Sequence, residues 1–192
     1  MGRVRAALAS RNEHKLRELE AALPGWELSL LDVDEYPPET GETYYVNARA
    51  KALHGRSATS ADVWVLGEDS GVEVEGLGGE PGVHSARWHE GRGEVPALLE
   101  RLDGIEGEGR RARYVCELVA LAPDGREVRG RGELRGRIAD EPSGSEGFGY
   151  DPIFVPDGET RTVADLGDAW KRQSSHRARA AHALTEALEK GA

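Results

Sequence analysis

The chain has 192 residues, 38% hydrophobic and 31% charged, a polar but globular composition with length for one well-cored domain and not for two large independent ones. Its 25 basic residues face 35 acidic ones, a formal net charge of −10. That excludes a protein that coats DNA or an anionic membrane, because such binding neutralises phosphates with a broadly basic surface, but it leaves room for a small anionic ligand in a local pocket.

In chain order, Val4 to Ala9 is a short apolar run, read as a strand, that stops at Ser10-Arg11-Asn12. Leu16, Leu19 and Leu23 then recur at helical spacing until Pro24-Gly25. Trp26 to Val33 alternates as a second strand, and Asp32 to Gly41, with Pro37-Pro38, is a loop. From about Glu42 to Ser60, Val46, Ala50 and Leu53 set an apolar stripe on a second helix. Asp62 to Leu66 is strand-like, runs into Gly67-Glu68-Asp69-Ser70-Gly71, and is followed by a short strand at Val72 to Val74.

Gly76 to Gly93 is long, glycine-rich and irregular, the kind of segment in which functional loops are common. A helix at about Val95 to Leu102 follows, then a long hairpin, Arg111 to Ala122 and Glu127 to Ile138, with Asp124-Gly125 as its turn signal. Asp140 to Pro156 reads as loop, and Ser174 to Lys190 as a final helix capped by Ser174 or Ser175. Alternating strands and helices followed by a hairpin predict an α/β fold on a mixed sheet. The lone Cys116, in an apolar strand, excludes an internal disulfide framework and a multi-cysteine zinc site, fits a reducing compartment, and is expected to be a core thiol. No run approaches the roughly 18 apolar residues of a membrane span, and the N-terminal apolar run is too short for a signal peptide, so a cytoplasmic protein is expected.

Four segments can carry chemistry. Ser10-Arg11-Asn12-Glu13-His14-Lys15 joins a strand to a helix, where free N–H groups, the helix dipole and Lys15 suit a phosphate chain; Ser10 or Asn12 as a simple helix cap is the alternative. In Gly67 to Gly71, adjacent Glu68 and Asp69 point to opposite faces of a regular strand, so one role for both is not expected. One such carboxylate can hold Mg²⁺ and accept a proton from an attacking water, with Glu39 or Glu42 as the partner carboxylate Mg²⁺ commonly uses. Gly147-Phe148-Gly149-Tyr150-Asp151-Pro152 is either a stacking platform for a planar base or a tight turn whose aromatics fill the core. Lys171 with Ser175-His176-Arg177 offers donors at the entry to the last helix.

The order of these blocks resembles the Ham1-type inosine triphosphate pyrophosphatases. The resemblance runs through Ala9 to Lys15, Glu39-Thr40-Gly41, Asn47-Ala48-Arg49-Ala50-Lys51-Ala52, Glu68 to Gly71, Leu77 to Arg87, Gly147 to Pro152 and Ser175-His176-Arg177, from about residue 4 to 188. It implies an elongated mixed sheet flanked by helices, two lobes around a substrate cleft within a single domain over 1–192, and a homodimer. It also implies Mg²⁺-dependent hydrolysis of ITP, dITP and XTP to the monophosphate and pyrophosphate.

Carried over by residue, Ser10 to Lys15 and Lys51 bind phosphates, Asp69 and Lys15 are catalytic, Asp69 and Glu39 hold the metal, and Ser70 touches substrate. Phe148, Gly149, Tyr150, Asp151, Lys171, His176 and Arg177 surround the nucleoside and phosphates. Four positions depart from the family's habit: Ser10 stands where threonine is common and keeps the hydroxyl, Arg11 where a glycine is frequent, Glu68 where aspartate is, and Trp170 where glutamate precedes Lys171. The chain has only four lysines, and three of them, Lys15, Lys51 and Lys171, fall inside the blocks. Compact ammonium groups are therefore expected to mark the pocket.

Overall fold

A computed structural model describes residues 3–191. Its elements are β1 (Val4–Leu8), α1 (Glu13–Ala22), β2 (Trp26–Leu30), α2 (Tyr44–Ala58), β3 (Trp64–Val74), α3 (Glu94–Arg101), β4 (Arg111–Leu121), β5 (Glu127–Ile138), β6 (Phe154–Pro156), α4 (Val163–Ser174) and α5 (His176–Lys190). Six strands form one mixed sheet in the order β2-β1-β3-β4-β5-β6. β1 pairs in parallel with β2, Val4 opposite Trp26, and with β3, Leu8 opposite Leu66, whereas β5 and β6 are antiparallel. The α/β class and the mixed sheet are as the sequence predicts, and so is the hairpin, whose turn seats Gly125 at φ 87°.

The chain packs into two compact units, and β3, β4 and β5 each contribute to both. The first holds the chain through Asp69, Cys116–Gly132 and the chain from Arg177 on; its core contains Leu8, Leu19, Leu66, Leu118 and Leu184, with Cys116 buried among them as expected. The second, Ser70–Val115 and Glu133–His176, buries Val72, Leu98, Ile138, Ile153 and Phe154.

Three local expectations are corrected. The motif Gly67 to Gly71 lies in the interior of β3, not at a strand end, because the strand continues unbroken to Val74. The expected stripe of α2 is its outer side: Val46 is 48% and Leu53 45% exposed, and the buried side is Tyr44, Asn47, Ala48, Lys51, Ala52 and Gly55. Helical spacing was right and the face was wrong, because two polar residues of the site occupy the inner face. Two elements also fall where the pattern gives none. One is β6, inside the expected loop; the other is α4, whose N-cap Thr162 accepts from the Asp165 N–H and whose run is interrupted at Gly167, φ 80°.

Position 67 sets how closely α2 can approach the sheet. A Cβ on Gly67 would lie 1.9 Å from the Ala48 carbonyl oxygen and 2.7 Å from the Ala52 nitrogen, so only glycine lets the inner face of α2 rest on β3.

Candidate active site

In the first unit, alternation along β3 sends Glu68 and Asp69 into two different ion clusters. Glu68 is fully buried, with one oxygen 2.6 Å from Lys15 Nζ and the other accepting from Arg177 at 3.0 and 3.2 Å. Burial alone would raise its pKa, but the ammonium of Lys15, the guanidinium of Arg177 and Lys51 outweigh it and hold the carboxyl well below the ordinary range. Arg177 is 1% exposed, its Nη1 donates to Glu18, and its carboxylate partners raise its pKa despite burial. The guanidinium thus braces the Glu68 carboxylate from within the core.

Asp69 faces Lys51. Lys51 Nζ donates to Asp69 Oδ1 at 3.0 Å and to the Glu68 carbonyl at 3.0 Å, and also pairs with Glu39. Asn47 completes the group, its amide nitrogen 3.1 Å from Asp69 Oδ2 and its oxygen accepting the Gly41 N–H at 2.8 Å. Burial raises the pKa of Asp69, against the pull of Lys51. Burial lowers that of Lys51, but Asp69, Glu39 and Glu68 reverse the sign and leave it raised, a firm cation. The structure brings Glu39, and not the exposed Glu42, to this cluster.

Among the described residues, no group of three or more His, Cys, Asp or Glu side chains is placed to hold a metal ion. Two carboxylates meeting at one ammonium is nevertheless a donor set that fits Mg²⁺, which typically takes one or two protein carboxylates and completes its shell with phosphate oxygens and water.

At the start of α1, Asn12 caps the helix by accepting from the His14 and Lys15 N–H groups, and Ser10 Oγ accepts from the Asn12 N–H. Glu13 and His14 are exposed, and Ser10 to His14 line an open surface depression. Arg11 turns aside, donating to the carbonyls of Val33 and Asp34.

In the second unit, Asp151 is the hub. Its buried carboxylate accepts from Lys171 Nζ at 2.6 Å, from the Phe148 N–H at 2.9 Å and from Tyr114 Oη at 3.2 Å. The Lys171 ammonium lies 4.7 Å from the Phe148 ring centroid, and His176 stacks on Tyr114 at 4.5 Å with 11° between planes. Gly147, at φ 79°, is required, since a Cβ there would fall 2.2 Å from Asp151 Oδ2. The Phe148-Tyr150 alternatives divide: Phe148 is half-buried, whereas Tyr150 is core, its hydroxyl donating to the Ser85 carbonyl at 3.0 Å. Ser70 is half-buried at the point where β3 enters this unit, and Gly149 is half-buried beside Phe148.

Several contributors carry no assigned role in the sequence reading: Asn47, Glu18, Tyr114 and Ser85. Asn47 was findable, since it stands one helical turn before Lys51 and so shares its face. Ser85 was not, because its Oγ accepting the Val72 N–H at 3.0 Å is a long-range contact.

The chain matches the Ham1 family over residues 6–187. It is 45% identical over 195 residues to the dITP/XTP pyrophosphatase of Symbiobacterium thermophilum, covering 99% of this chain and 96% of that protein. Of solved structures, the Ham1 protein of Staphylococcus aureus superposes with a TM-score of 0.83 at 34% identity, over 98% of this chain and 100% of that one. The Mycobacterium abscessus nucleoside-triphosphatase, a dITP/XTP pyrophosphatase, gives 0.72 at 41%, over 94% and 97%. With its ion clusters built on the blocks that carry the resemblance, and matched from end to end in sequence and in fold, the chain belongs to the Ham1 family.

Proposed function

We infer that this chain hydrolyses non-standard purine nucleoside triphosphates, of the dITP, XTP and ITP class, to the monophosphate and pyrophosphate. The observation that carries the reading is the meeting of Glu39 and Asp69 on the Lys51 ammonium, beside a second buried carboxylate that holds Lys15.

In the reaction a water oxygen bonds to the α-phosphorus, the bond from that phosphorus to the bridging oxygen breaks, and pyrophosphate leaves with the electron pair. Asp69 takes the water's proton, a role that its raised pKa suits. Lys51 holds Asp69 and Glu39 together, and Asn47 fixes the second oxygen of Asp69. Lys15, tied to Glu68, presents positive charge at the start of α1 for the phosphates. Asp69 and Glu39 would hold Mg²⁺, which would supply Lewis-acid charge stabilisation at the phosphate oxygens.

In the second unit, Phe148 with Lys171 and Asp151 suits a nucleoside, Phe148 giving a ring face. A 6-oxo purine offers an acceptor where adenine offers an amino donor, so a donor such as His176 loses that acceptor with ATP. Arg177 acts one step back, as a support for Glu68. The family resemblance supports a homodimer and a cytoplasmic setting; no helix among the described residues is long and apolar enough to cross a membrane.

Pyrophosphate release from ITP, dITP, XTP, ATP, GTP and UTP, with and without Mg²⁺, tests the reading. Turnover of ITP and XTP should exceed that of ATP by about 100-fold or more. Equal rates on ATP would refute it.

A further inference from the structure

The loop between β2 and α2 carries Glu39, which pairs with Lys51, and the backbone is held on either side of it. At its far end, Gly41 donates its N–H to Asn47 Oδ1 at 2.8 Å, and the Asn47 side chain in turn holds Asp69. At its near end, the guanidinium of Arg11 donates to the carbonyl of Asp34, and at 3.4 Å to that of Val33. The same guanidinium lies 5.3 Å from the centroid of the Tyr36 ring. Tyr36 is itself seated, its hydroxyl donating to the Leu31 carbonyl at 3.0 Å and its ring 5.9 Å from that of His54 on α2.

Between the Arg11 contacts and Glu39 stand Pro37 and Pro38. Their fixed φ makes the intervening backbone stiff, so a displacement at residues 33–36 is passed on to residue 39 and not absorbed on the way. Apart from Tyr36 and Arg11, the segment 33–36 has few anchors: Val33 packs in a small apolar cluster with Ala7, Ala9 and Leu31, and Glu35 is exposed. Arg11 lies in the strand-to-helix junction immediately before the cap Asn12, whose N–H is held by Ser10 Oγ, so its backbone is tied to the start of α1. A rigid element is thereby joined through one side chain to the loop that delivers a carboxylate.

We propose that Arg11 is a positioning residue for Glu39: it ties the loop over residues 33–39 to the start of α1, so that the Glu39 carboxylate stands beside Asp69. A planar guanidinium does this as an ammonium could not, because it can reach two carbonyls and lie against an aromatic ring at once. The metal part of this inference rests on the reading of Glu39 as a metal carboxylate.

The test uses the full chain and two readouts that need no turnover. The first is Mn²⁺ alone, titrated and followed by electron paramagnetic resonance. Arg11→Ala should weaken Mn²⁺ binding about tenfold, the scale seen when a group supporting a metal ligand is lost, and Arg11→Lys should recover only part of it. The second is amide hydrogen exchange without metal, which should speed up over residues 32–41 in Arg11→Ala and stay unchanged in α5.

Unchanged exchange over that loop, or wild-type Mn²⁺ affinity in Arg11→Ala while Glu39→Gln loses it, would overturn the proposal. So would unchanged exchange accompanied by weaker binding of inorganic tripolyphosphate, which would make Arg11 a phosphate ligand. If Glu39→Gln binds Mn²⁺ like the wild type, it is the metal reading of Glu39 that fails, and the exchange measurement still decides whether Arg11 holds the loop.

Discussion

Glu68 and Asp69 are neighbours in the chain with opposite electrostatic fates. Glu68 is pressed between Lys15 and Arg177 and held ionised; Asp69, buried against a single ammonium, has its pKa raised. In the proposed reaction the one is a structural anion and the other the proton acceptor; their separation was half legible, since alternation along a strand separates the two faces. Which face met which cation was not, because Arg177 lies 109 residues further along the chain.

Asp69→Asn should keep its far-UV circular dichroism and lose about 10²–10⁴-fold in kcat, the range for a removed general base. Because the folded pKa of Asp69 is raised, its carboxylate in the metal-free protein, followed by carbon-13 NMR, should titrate above the ordinary value of 3.8. Titration at or below that value would show that burial does not outweigh Lys51 there.

Helix α2 shows what happens when a site is built on an amphipathic element. Its inner face must present Asn47 and Lys51 to the carboxylates, so Ala48, Ala52, Gly55 and Tyr44 fill the rest of the buried surface and Val46 and Leu53 are left outside. The apolar period predicted a helix correctly and its orientation wrongly. Periodicity reports partition into a core, and here function occupies that core instead.

The close approach of α2 to β3 makes Gly67 the sensitive point of the pair. Gly67→Ala should destabilise the protein by about 1–3 kcal/mol, as overpacking does, and should reduce activity by displacing Lys51 relative to Asp69. Urea denaturation checks it against Gly25→Ala, where an added Cβ meets nothing within 4 Å and the change should stay within about 0.5 kcal/mol. Equal stability of the two variants would show that α2 can yield.

Over the whole molecule, a formal charge of −10 surrounds a few buried cations. Lys15, Lys51 and Lys171 are each paired with carboxylates, and Lys190, outside the motif blocks, is exposed. Stability should therefore depend on acid. Glu68 has a depressed folded pKa, so its contribution is complete above the ordinary value of 4.5 and is lost as the pH falls through the folded pKa below it. Glu68→Gln should lower stability at neutral pH by about 3–5 kcal/mol, because it leaves the buried Arg177 and Lys15 without their carboxylate. It should also flatten the fall in stability on acidification, read by urea unfolding across that window. A variant with the wild-type acid slope would show that Glu68 does not set it.

The sequence by itself determined the α/β class, the long hairpin, the buried thiol and the blocks from which the site is made, because periodicity, turn chemistry and motif order are properties of neighbouring residues. Only the tertiary structure decided that Glu39 and not Glu42 meets Lys51, that Arg177 supports Glu68, that Tyr150 is core and that Arg11 reaches across to Asp34. Each of these is a choice of partner between residues distant in the chain, fixed by how helices and strands pack and by the need of every buried charge for a counter-charge.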